Sequence, residues 1–137
     1  MSTHAVTFAL VAMVAWGVWT ILANEATGFI RPELAMILSY AASVIVAIGY
    51  VLVRGEPIAL DRTGTLLALA AGVFAGIGAV AFYVGLSAGR ASIVTTVSAL
   101  YFVVAVVLGV LVLGESLAPK DALGIAFAVA AVVLISQ

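Results

Sequence analysis

The chain has 137 residues, 66% of them hydrophobic and 8% charged, against roughly 45–50% and 25% in soluble domains. A water-soluble fold of this length has no means of hiding that much apolar surface, so the sequence reads as integral to a membrane. A net charge of −1 argues against nucleic acid as a partner, and the lack of cysteine excludes disulfides and thiolate metal sites.

Apolar runs divide the chain into five. The first is Ala5–Ala23, whose aliphatics are interrupted by Thr7, Trp16, Gly17, Trp19 and Thr20. A cleaved signal peptide would carry Lys or Arg ahead of this run; Met1-Ser2-Thr3-His4 has neither, so a retained helix is expected. The second run, Leu34–Val53, is opened by Arg31-Pro32-Glu33, where Pro32 suits a first turn that needs no N–H partner. The third is Thr63–Gly89 and the fourth Ala91–Gly114. The fourth would make one helix of about 36 Å, enough to cross a hydrocarbon core of about 30 Å with some tilt. The fifth, Ala122–Gln137, reaches a spanning length if Pro119-Lys120-Asp121 forms its first turn. Backbone groups in lipid must be satisfied within their own segment, which leaves helices as the only fit. The expected architecture is all-α and integral to a membrane: a single domain over 1–137, a five-helix transmembrane bundle with helices at about 5–23, 34–53, 63–89, 91–114 and 119–137.

The connections between runs are short and leave no room for a soluble domain. No Gly-rich loop followed by Lys-Ser/Thr is present to cradle ATP phosphates, so no cofactor is expected and any transport would draw on a gradient. His4 is the only histidine, which makes a histidine-based metal site or proton relay unexpected. An enzymatic role is not expected either.

Polar residues inside apolar runs are where function would show. Thr95, Ser98 and Tyr101 or Phe102 recur at three- and four-residue spacing in the fourth run, which places them on one helical face. Ser39 and Ser43 share a face of the second run with Tyr40 flanking, and the first and third runs add Trp16, Trp19 and Tyr83. Together these would line a cavity at mid-membrane, hydroxyls for hydrogen bonding and rings for stacking or cation–π contact. The plainer alternative is that the hydroxyls bond their own i−4 carbonyls and let helices pack closely. None of the five runs carries a charge. Glu25, just past the first, is the only carboxylate placed for proton coupling, provided that the helix continues to Thr27; otherwise it is a solvated loop group. Arg90, between the third and fourth runs, would anchor in the headgroups or attract an anion. Gly72-x-x-x-Gly76 and Gly85-x-x-x-Gly89, with Gly78, have the small-residue spacing that lets helices approach, so the third helix is expected to be buried against neighbours.

The order of features from Ala91 onward is a Ser/Thr-dotted helix, Leu113-Gly114-Glu115 at its end, a polar turn, and Gly124 opening a further apolar helix. With Trp16-Gly17, Tyr83, Leu86 and Ala91-Ser92, this resembles the repeat of EamA-type transporters of the drug/metabolite transporter superfamily. One departure is that the family often has a proline near the middle of the fourth helix, where this chain reads Leu100-Tyr101-Phe102. The family's end-of-helix glutamate corresponds to Glu115, expected to accept bonds from the free N–H groups that begin the next helix.

The resemblance implies one half of a ten-helix inverted-repeat transporter, because longer members carry two such repeats with the substrate site between them. The implied function is movement of a small organic solute, a metabolite, amino acid or drug, by alternating access as a dimer and without ATP, in the cell (plasma or inner) membrane. Partners would be the small-molecule substrate, the lipid bilayer, and either an antiparallel second copy or a homologous half. A proton-coupled exporter like the small multidrug resistance proteins would have four helices and an acidic residue inside the first; five runs and no such residue argue against it. A non-transporting partner subunit is the alternative of another class, favoured if a partner gene lies beside this one. With five spans, the N-terminal side would hold Arg54, Arg62 and Lys120 and the other side Arg31 and Arg90. Three cations against two is almost no topological bias, so insertion in both orientations is expected.

Overall fold

The computed structural model describes residues 3–135; the last two positions of the fifth run, 136 and 137, lie outside them. Helix α1 (Thr3–Thr27) runs four residues past the end of its apolar run. The Thr27 hydroxyl closes the extra turn by donating to the Asn24 carbonyl at 2.7 Å. Pro32 opens α2 (Pro32–Arg54) as its chemistry predicts. Gly55 ends it in the left-handed region, φ 63°, which costs glycine nothing. Arg54 and Glu56 form an ion pair across that cap. Helix α3 (Arg62–Ala88) is capped by Asp61, whose carboxylate accepts the Gly64 N–H at 2.8 Å.

The fourth run departs from the expected single helix. It forms α4 (Ala91–Ala99) and α5 (Tyr101–Leu113), interrupted at Leu100. There the Leu100 N–H bonds to the Val97 carbonyl at 3.1 Å, and the Val103 N–H to that of Leu100 at 2.9 Å. These three-residue bonds tighten the turn and break the regular ladder. No proline is needed. Nine of the fifteen residues from Ile93 to Val107 are β-branched, and their stiff χ1 angles lower helix propensity around the break. Helix α6 (Pro119–Ile135) begins at Pro119.

All elements among the described residues are helical. Four segments are long and apolar enough to cross a membrane: His4–Thr27, Pro32–Arg54, Arg62–Ala88 and, taken through its interruption, Ala91–Leu113. The described length of α6 is 17 residues, about 26 Å of helix, short of a core of about 30 Å.

The described residues fall into two compact units that divide between Ala88 and Gly89. In the first, α1, α2 and α3 each pack on the other two; in the second, α4 packs on α6. Thr20, Ala23, Ala35, Ala79, Tyr83 and Leu86 are the buried positions of the first unit. All lie near the C-terminal ends of α1 and α3 or the N-terminal end of α2, which is one end of an antiparallel arrangement. The other end is open. Gly72 and Gly76 continue the stripe of Ala79, Tyr83 and Leu86 by helical spacing, yet a Cβ on either would meet nothing within 4 Å, nor would one on Gly78. The third helix does pack on both neighbours, as expected, but Gly72, Gly76 and Gly78 are not where it meets them. The helices meet nearer their other end, where small Ala23, Ala35 and Ala79 are buried together with the larger Tyr83 and Leu86.

Candidate functional site

Trp19 is the centre of the closed end. Its indole N–H donates to the Ser39 hydroxyl on α2 at 2.9 Å. Its ring stacks on Phe82 of α3, centroids 5.3 Å apart and planes 14° from parallel. The edge of Tyr83 meets the same indole at 5.8 Å and 67°. Stacked and edge-on rings at these separations suit the aromatic quadrupole. One residue of α1 thus grips both neighbouring helices. Tyr83, 1% exposed, is the largest fully buried side chain. Beside Trp19, Thr20 is buried and satisfied by donating to the Trp16 carbonyl at 2.9 Å.

The remaining sequence-predicted residues divide between partnered and open. Trp16 lies one turn before Thr20 on the same stripe, and it is 62% exposed. Ser43 donates to the Ser39 carbonyl at 3.0 Å, the i−4 bond of the plainer alternative, and lies exposed. Tyr40 flanks them, also exposed. In the second unit, Thr95 Oγ1 is shielded and has no hydrogen-bond partner among the described residues, whereas neighbouring Thr96 bonds back to the Ser92 carbonyl at 2.6 Å. Ser98 is exposed, and Tyr101 is 64% exposed. The break at Leu100 separates Tyr101 from Thr95 and Ser98, so the expected single face through 95, 98 and 101 is not continued at regular helical pitch. Glu25 sits in the last turn of α1, exposed, so the condition set by its sequence, a helix reaching Thr27, is met.

The model of the EamA-like transporter family matches residues 3–137. The chain belongs to that family. Among curated proteins and among solved structures, nothing matches it. The family is one of transporters, and with four helices able to cross a bilayer the chain is a multi-pass membrane protein of the drug/metabolite transporter superfamily.

The residues carrying the EamA resemblance at the end of α5 take a form the sequence did not suggest. Gly114 is left-handed, φ 68°, and its N–H turns back to the Gly109 carbonyl. The Glu115 N–H reaches the same oxygen at 3.2 Å. The Glu115 side chain then folds back along α5. Its Oε2 lies 2.6 Å from where a Cβ on residue 109 would be. The expected cap on the next helix is supplied instead by Asp121, whose Oδ2 accepts the Ala118 N–H at 3.1 Å. This is the carboxylate half of a capping box, and Asp121 suits it because it lies three residues after the cap position. A Cβ on Gly124 would meet nothing within 4 Å, so that glycine marks no close approach within its unit.

Two contributors went unread in the sequence. Phe82 is adjacent to Tyr83, and only the pairing of α1 with α3 shows that both rings meet one indole. Asp121 had a visible signal, its spacing from Ala118, overshadowed by the family glutamate.

Proposed function

We propose that this EamA-family chain carries a small organic solute, a metabolite, amino acid or drug, across the cell (plasma or inner) membrane by alternating access without ATP, with five spans per copy. The observation that carries the reading is the contrast within α1–α3. Trp19, Ser39, Phe82 and Tyr83 lock one end, while Trp16 and Ser43, about one turn further along their helices, stay open in a charge-free span. In this reading Trp19, Ser39 and Tyr83 position the site. In the first unit Trp16 and Ser43 are the solute contacts, a ring and a hydroxyl; the second unit, taken by itself, offers Thr95, Ser98 and Tyr101. An uncharged lining suits neutral solutes, or cations held by aromatic faces.

Coupling is assigned to Glu25, the carboxylate at the end of α1. Purified protein in proteoliposomes, with solutes first selected from a ligand panel by thermal shift, should show flux that follows an imposed pH gradient. Glu25→Gln removes the titratable charge at nearly constant shape and should abolish that dependence. Retention of the full dependence would remove Glu25 from the mechanism.

A single repeat presents half of the family's inverted pair, and an antiparallel second copy would supply the other half. Single cysteines in the Gly55–Asp61 connection, in a chain with no native thiols, should label from both sides of intact cells. Labelling from one side only would replace the homodimer with a heterodimer of homologous halves.

A further inference from the structure

The folded-back Glu115 lies in a groove on α5 lined by Ala105, Leu108, Gly109, Val112 and Leu113. Gly109 is four residues inside the helix end at Leu113, so the carboxylate is drawn about 6 Å along the apolar segment from its polar connection. It accepts no hydrogen bond and forms no ion pair among the described residues. Lys120, the cation nearest in sequence, is not paired with it. Glu115 is exposed, so at this depth its carboxylate faces the bilayer; an anion there without a donor is costly, and a cation that arrives with its own apolar body relieves that cost.

We propose that this groove is a phospholipid site selective for a primary-ammonium headgroup, that of phosphatidylethanolamine. An acyl chain lies against Ala105, Leu108 and Val112, and the headgroup ammonium donates to the Glu115 carboxylate. Gly109 is the enabling residue: any side chain there would occupy the place of the carboxylate. The charge complementarity selects ethanolamine over choline, which keeps the charge but has no N–H to donate, and over glycerol headgroups, which lack the cation.

The test is native mass spectrometry of the full chain, delipidated and then titrated with dioleoyl phosphatidylethanolamine, phosphatidylcholine or phosphatidylglycerol. The wild-type chain should retain the ethanolamine lipid about tenfold better than the choline lipid, the scale of one charge-assisted hydrogen bond near an interface. Glu115→Gln, and independently Gly109→Val, should erase that preference while circular dichroism reports unchanged helix content. Equal retention of all three lipids by the wild type would overturn the proposal, and so would a preference that survives both substitutions. A change in dimer fraction on Glu115→Gln with lipid preference intact would overturn it too, in favour of a second copy as the cation donor. None of these readouts depends on solute transport, so failure here leaves the transport reading standing.

Discussion

In α1–α3 the helices meet through an indole N–H, a serine hydroxyl and three aromatic rings, whereas in α4–α6 aliphatic side chains dominate and α5 has an apolar groove on each side. The difference has a physical reading. Lipid tails are as apolar as leucine, so burying aliphatics against one another gains little over leaving them in lipid. Directional hydrogen bonding and shape-specific ring packing are what hold helices together there. The first unit has both, concentrated at one end. The second unit instead has a helix break at Leu100 and a carboxylate folded back along α5.

The largest expected effect is on the first unit. Trp19→Ala removes the hydrogen bond to Ser39 and both ring contacts at once, and should lower stability by about 2–4 kcal/mol. Ser39→Ala removes only the acceptor and should cost about 0.6–2 kcal/mol, the range for interhelical hydrogen bonds in membranes plus an unsatisfied donor. Thermal unfolding of the purified chain in detergent measures both. If the two substitutions cost the same, the hydrogen bond and not the ring cluster holds the unit, and the contrast with α4–α6 weakens.

In the second unit the corresponding substitution should act on binding rather than on folding. Tyr101 is largely exposed just past the break at Leu100, so Tyr101→Ala should leave the unfolding temperature nearly unchanged. Solute affinity should fall by an amount corresponding to about 1–3 kcal/mol, from a lost ring contact and hydroxyl. Unchanged affinity with lowered stability would place Tyr101 in packing and make the two units alike.

What the sequence disclosed follows the range over which each interaction acts. Helix class, the Pro32 start and the end-of-helix Gly114 were legible because propensity, the absent N–H of proline and glycine's left-handed freedom are local. The break at Leu100 was not, since no Pro or Gly marks it and its cause is spread over many β-branched residues. Trp16 and Trp19 read alike three residues apart. Only the packing of α1 on α2 and α3 separates a partnered indole from an open one. Glu115 misled because its position before a helix suggested capping, while the left-handed turn at Gly114 sends its side chain back along α5.

The smallest expected effect concerns the open end of the first unit, where Gly76 continues the packed stripe of α3 without a neighbour near its Cβ position. If that face meets only lipid, Gly76→Ala adds a methyl group into free space. It also removes the conformational freedom that glycine has in the unfolded chain, worth about 0.4–1 kcal/mol. Stability should therefore rise slightly or stay level. A second copy seated against the glycine face would reverse the sign, since its backbone would approach where the methyl group now stands. Measuring Gly76→Ala at low and at high protein-to-detergent ratio separates the two cases. A gain at both ratios leaves the open end to lipid and solute. A loss that appears only where copies associate would identify this face as the place where two copies meet, and the small-residue spacing of Gly72 and Gly76 would then serve assembly between chains.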